Sequence, residues 1–99
     1  MTFAMTIDER TFSGIDLNLL LVFMVLFREQ NVSRAAECLH VKQPAVSGSL
    51  SRLRLQFNDP LFIRVGPRGV RPTEKASQMA QALMPAMSAI QAIVNRPAD

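Results

Sequence analysis

At 99 residues the chain is one domain by size with an appended arm or helix, and at 48% apolar it can bury one modest helical core. The single cysteine, Cys38, excludes an internal disulfide and a multi-cysteine metal centre, while 4 Gly and 6 Pro exclude a low-complexity or collagen-like chain. The net charge of +3 is unevenly spread: residues 42–75 carry seven basic side chains against two acidic ones, a local +5 that leaves −2 elsewhere, as expected of a face that meets a polyanion.

Residues 1–15 mix Thr, Ser, Gly and charges without periodicity, and 1–14 are expected to form a flexible arm. No basic start followed by an apolar run is found there, so no signal peptide is read and a cytoplasmic protein is expected. Asp16 is an N-cap for the helix DLNLLLVFMVLFREQ, in which Leu17, Leu20, Met24 and Phe27 form one stripe. The remaining apolar residues cover its other faces, so this helix needs packing on more than one side, from this chain or a second one. Its longest apolar run, Leu19 to Phe27, is nine residues, about half of what a membrane span needs.

Ser33 is placed to cap a short helix, RAAECL, whose Ala35 and Ala36 let another helix cross closely. Cys38 reads as a small, partly buried filler within it, and His40 and Val41 interrupt it. A third helix is expected from about Gln43 to Phe57. Val46, Leu50, Leu53 and Phe57 step by 4, 3 and 4 along one buried stripe, Pro44 is tolerated in the first turn, and Asn58, Asp59 and Pro60 stop the helix. In LFIRVGPRGVRPT, Leu61 to Val65 reads as extended, Gly66 to Gly69 as a turn and Val70 with Arg71 as the return strand. This short hairpin carries Arg64, Arg68 and Arg71 and must lean on the helices. Thr73 caps a last helix in which Ala76, Ala80, Leu83, Met87, Ile90 and Val94 keep heptad spacing, and Pro85 is expected to kink or split it.

Val32 to Phe57 has the pattern of a helix-turn-helix, centred on about 32–51: a short Ala-containing helix, a tight break at His40 and a longer helix that starts with small polar residues. With Val46, Leu50 and Leu53 turned inward, the outer face of the third helix presents Gln43, Ser47, Gly48, Ser51, Arg52 and, lower down, Arg54. Small and amide-bearing residues suit insertion into a groove, where Gln can bond adenine bidentately. Paired His or Cys, a Gly-rich phosphate loop and clustered acids are all missing from the sequence, so an enzyme is not expected.

The run SRAAECLHVKQPAVSGSLSRLR, with DLNLLLVF before it and DPLFIR and RPT after it, resembles the N-terminal domain of LysR-type transcriptional regulators, in particular the nodulation-regulator-like subgroup, over about residues 15–95. The resemblance implies a mainly α fold: a winged helix-turn-helix of three helices plus a two-stranded wing over 15–72, then a linker helix over 73–95 through which two chains dimerise. It implies double-stranded DNA as partner, an interrupted palindrome as operator and the wing near the minor groove. Gln43, Pro44, Ala45 and Ser47 match the start of the family's recognition helix, Ser33 its phosphate-contacting cap position and Arg64 a commonly basic wing position. Adding the outward and basic positions, the expected DNA-binding set is Ser33, Arg34, Lys42, Gln43, Pro44, Ala45, Ser47, Gly48, Ser51, Arg52, Arg54, Arg64, Arg68 and Arg71. The expected dimer interface is Leu19, Val22, Phe23, Leu26, Ala76, Ala80, Leu83, Met87, Ile90 and Val94.

Two positions depart from the family pattern. Lys42 replaces the usual Ser or Thr cap of the third helix, and Gly48 stands where many relatives carry a longer polar or basic side chain. Members of the family continue into a region that senses a small molecule, so an effector-binding domain and its inducer are expected outside this chain, and tetramers of the longer protein are compatible with the resemblance. No cofactor, metal or membrane is expected for the chain itself. The alternative is a winged-helix module for protein assembly with incidental DNA affinity.

Overall fold

The computed structural model describes residues 6–97. Of the expected arm, residues 1–5 lie outside that range, and the rest is not irregular throughout. A short helix α1, Glu9–Ser13, starts at Asp8, whose carboxylate accepts the Arg10 N–H at 3.1 Å, and it buries no residue. Asp and Glu at the start of a helix offset the positive end of its dipole, which is the local reason for this turn of structure.

Helix α2, Leu17–Glu29, is capped by Asp16 through the Asn18 N–H at 2.9 Å. Helix α3 spans Val32–Leu39 and α4 spans Gln43–Phe57. The strands β1, Phe62–Val65, and β2, Gly69–Pro72, pair antiparallel with Arg64 opposite Val70, and α5 runs over Glu74–Val94 from its Thr73 cap. Three helices in succession end on a left-handed residue that is not glycine: Gln30, His40 and Asn58, with φ of 52°, 57° and 51°. Each turns the chain by about one residue's worth of αL geometry while its N–H returns to the helix; His40 N–H, for example, reaches Glu37 O at 3.1 Å. The tight break expected at His40 therefore has its physical basis in that backbone conformation.

The cap of α3 differs from expectation. Asn31, not Ser33, supplies it, accepting the Arg34 N–H on Oδ1 at 2.9 Å, because the helix begins two residues earlier than RAAECL and places Ser33 inside its first turn. Cys38 is exposed rather than partly buried. On α2 the core face is Leu19, Phe23 and Leu26, with Val25 also buried, whereas Leu17 of the expected stripe is 56% exposed. These residues pack with Ala35 and Ala36 of α3 and with Val46, Leu50 and Leu53 of α4 in a single core that Phe62 joins from the wing, its ring 5.5 Å from that of Phe23. Burying a large apolar side chain contributes roughly 1.5–3 kcal/mol, so this layer supplies most of the domain's stability.

That packing corrects the expected dimer interface. Leu19, Phe23, Leu26, Ala76 and Ala80 are all buried within the chain and have almost no surface to give a second one. Leu83 and Met87 are half-buried, and only toward the end of α5 does the heptad seam open to solvent, with Ile90 56% and Val94 74% exposed. Pro85 does not split α5, which is one helix across it. A proline in a helix interior forfeits one N–H donor, here the one that would reach Gln81 O.

The wing is anchored at both ends. Val32 N–H donates to Arg68 O at 2.9 Å and Val70 N–H to Gln30 O at 3.0 Å, so the linker between α2 and α3 is bound to the return side of the hairpin. Gly69 is needed in this tight arrangement, since a Cβ there would lie 2.5 Å from Val65 O. At the other end, Leu61 is fully buried with φ of 62°, a conformation unusual for a bulky side chain. Its N–H donates to Asp59 Oδ2 at 2.8 Å and its carbonyl accepts Thr73 N–H at 2.9 Å, which locks the junction of α4, wing and α5.

Candidate nucleic-acid interface

Helix α4 projects because only one of its sides is anchored. Val46, Leu50 and Leu53 hold it against the core; of the residues between the first two, Ser47 is exposed while Gly48 and Ser49 are half-buried. Gln43, Pro44, Ala45, Ser47, Ser51 and Arg52 are exposed, together with Lys42 just before the helix. Lys42 makes no side-chain capping bond, Pro44 has no N–H and Ala45 N–H reaches Lys42 O at 3.0 Å, so in the first turn of α4 the Gln43 N–H is the donor left without an internal acceptor. Gln43 donates from its amide to the Ser33 hydroxyl, which ties the start of α4 to the start of α3. Ser51 donates its hydroxyl proton to Ser47 O at 3.1 Å, leaving the oxygen free to accept.

The basic side chains divide into free and committed ones. Arg34, Lys42, Arg52, Arg68 and Arg71 are exposed, and none takes part in an ion pair among the described residues. Arg54, expected on the outer face, is instead half-buried: its Nε donates to Pro60 O at 2.8 Å and its Nη2 to Phe62 O at 2.9 Å. The reason lies in spacing, because Arg54 stands four residues after Leu50 and three before Phe57, on the flank of the core stripe. Lys75 is committed likewise, through Nζ to Phe57 O at 2.6 Å, where a cation meets the negative end of α4.

Strand register separates the arginines of the wing. Arg64 pairs with the buried Val70 and shares its face, so it points toward α4, whereas Arg71 pairs with the exposed Ile63 on the other face. Arg68 lies in the turn between the strands. Arg64 also donates to Pro67 O at 2.9 Å, which steadies it near the tip. Between α4 and the wing lies a cleft of about 160 Å³ with Val32, Val46, Leu50 and Val70 at its floor and Ser47, Ser51, Arg54 and Arg64 around it. One candidate surface thus gathers Ser33, Gln43, Ser47, Ser51 and Arg64, while Arg71 stands apart from it.

Beside this surface, Asp59 accepts the Leu61 N–H and, at 2.8 Å, the Thr73 hydroxyl; these two bonds hold its carboxyl below the usual carboxylate range. This acid, just after the end of α4, is therefore turned into the α5 junction. Asn31 is the positioning residue that sequence reasoning missed: it caps α3 and pairs with Gly69 of the wing. Its signal was present, since Asn ranks at least level with Ser as an N-cap.

A family model described as "Bacterial regulatory helix-turn-helix protein, lysR family" matches residues 17–77. The chain is 47% identical over 77 residues to the HTH-type transcriptional regulator LeuO of Escherichia coli (strain K12), covering 78% of this chain and 24% of that protein. It is 42% identical over 80 residues to nodulation protein D 1 of Rhizobium leguminosarum bv. phaseoli, covering 81% and 25%. The crystal structure of the BenM_DBD/catB site 1 DNA complex superposes with a TM-score of 0.72 at 26% identity, covering 81% of this chain and 89% of that one. The chain spans about a quarter of the length of the curated relatives it matches. With the family model matching more than half of its residues, and with the winged three-helix arrangement described above, the chain belongs to the LysR family of bacterial regulatory helix-turn-helix proteins.

Proposed function

We propose that this chain binds double-stranded DNA selectively as the DNA-binding part of a transcription regulator, laying α4 in the major groove with the wing beside the minor groove. The observation that carries the reading is the outer face of α4. Gln43, Ser47 and Ser51 lie exposed on it without an acid among them, between free cations at Arg34, Lys42 and Arg52 and the arginines of the wing. The similar fold of BenM_DBD is seen in complex with catB site 1 DNA, which supports the choice of partner. In this division of labour the cations hold phosphates and set orientation, while Gln43 and the serines read base edges.

Two copies are proposed to act together through the distal part of α5, since Ile90, Ile93 and Val94 leave apolar surface that the chain itself does not cover. A dimer of this kind reads half-sites about one helical turn apart or a multiple of it, as an interrupted palindrome provides. The test is the ratio of affinities for a selected duplex and for mixed-sequence DNA at fixed salt. Gln43→Ala should lose about 1–3 kcal/mol of discrimination; an unchanged ratio refutes the assignment of α4 as the reading helix.

A further inference from the structure

Gly48 is the bare position of the reading helix. It lies two residues from Val46 and two from Leu50, both buried, so at about 100° per residue it stands on the side of α4 turned away from the core. Glycine inside a helix costs stability relative to alanine, because it surrenders more backbone freedom on folding. Close packing or a left-handed backbone would account for that cost, and neither applies. A Cβ built at Gly48 meets nothing within 4 Å, and Gly48 is not among the residues of positive φ.

The neighbouring side chains indicate what the bare position permits. Ser47 and Ser51 carry hydroxyls one carbon from the backbone, the shortest reach a polar side chain has. Such groups meet base edges only when the helix backbone itself seats deep in the groove. Gly48 lies beside both, opposite the core stripe and half-buried between its longer neighbours, with open space where a Cβ would stand, so a side chain there would thicken the face of the helix that enters a groove.

We infer that Gly48 is a specificity-determining position that works by having no side chain: it lets α4 approach closely enough for Ser47 and Ser51 to read base edges, at the expense of stability in the unbound chain. The inference rests on the DNA-binding reading above. It requires Gly48→Ala to move stability and selectivity in opposite directions.

The 99-residue chain, Gly48→Ala and Gln56→Ala, an exposed control on α4, are compared by thermal melting and by anisotropy titration. The probes are the tightest duplex that the wild type selects from random DNA and a mixed-sequence duplex of equal length. Gly48→Ala is expected to melt roughly 4 °C or more higher. Its affinity for the selected duplex is expected to fall about tenfold, while mixed-sequence affinity, set by phosphate charge, stays within about twofold. Gln56→Ala should keep wild-type selectivity. Wild-type or higher selectivity in Gly48→Ala overturns the inference and leaves the DNA reading standing when Gln43→Ala loses selectivity in the same assay. A wild type that selects no sequence from the pool overturns both.

Discussion

Arg54→Met keeps the aliphatic stem of the side chain and removes its guanidinium, and so separates an internal role from a DNA-contacting one. In the folded chain that group bonds Pro60 O and Phe62 O, fastening the last turns of α4 to the first residue of the wing. A hydrogen bond from a charged donor contributes about 1.5–3 kcal/mol when well shielded. Arg54 is only half-buried, and water can replace part of each bond, so about 2 kcal/mol for the two together is the reasonable expectation. For a domain of this size that corresponds to a Tm lower by roughly 8–16 °C, read by far-ultraviolet circular dichroism. The exposed Arg64 supplies the contrast: Arg64→Ala should change stability by no more than about 0.5 kcal/mol yet lower the slope of log affinity against log salt by about one. Arg54→Met should leave that slope unchanged. An Arg54→Met protein with wild-type Tm and a slope lowered by one would refute the reasoning and return Arg54 to the DNA-facing set.

Asp59 predicts a pH dependence. Its folded-state carboxyl titrates below the ordinary value of 3.8, so its contribution is fully present above that value and is lost as pH falls through the depressed one. The Tm of the wild type should therefore fall more steeply than that of Asp59→Asn on acidification below about pH 4, and coincident curves would show that the two bonds to Leu61 and Thr73 add nothing. The capping assignment is tested in urea: Asn31→Ala should lose about 1 kcal/mol, whereas Ser33→Ala, outside the cap, should stay within about 0.5 kcal/mol. The reverse order would reinstate Ser33.

How legible the fold was depended on whether a segment's pattern had a phase. In α4 the apolar residues Val46, Leu50, Leu53 and Phe57 are spaced by 4, 3 and 4, with Ala45 and the 85% exposed Leu55 off that stripe, so the sequence dictates both the helix and its inward side, and the structure places the helix at Gln43–Phe57 with Val46, Leu50 and Leu53 buried. The caps Asp16 and Thr73 and the break at His40 were legible for a similar reason: each is a local requirement of backbone donors or of left-handed geometry, met by one residue. In α2 every position from Leu19 to Phe27 is apolar, and a pattern without polar positions carries no phase. Which face points inward is then decided by what packs on it, and α3 with α4 select Leu19, Phe23 and Leu26 over the stripe beginning at Leu17.

The same distinction explains which parts of the candidate site could be read. Residues such as Gln43, Ser47 and Ser51 are outward because they alternate with the core stripe on their own helix, and that is a property of the sequence alone. The roles of Arg54, Lys75 and Arg64 are set by acceptors on other segments: Arg54 bonds carbonyls of residues 60 and 62, Lys75 bonds Phe57 O, and only strand register directs Arg64 toward α4 and Arg71 away from it. A basic composition over residues 42–75 thus overstates the free charge, because two of its cations hold the scaffold together. The face that remains is smaller and more directional than the +5 implies. On the proposed reading, long-range charge would draw the chain to any polyanion, and discrimination among sequences would fall to the uncharged side chains on the outer face of α4.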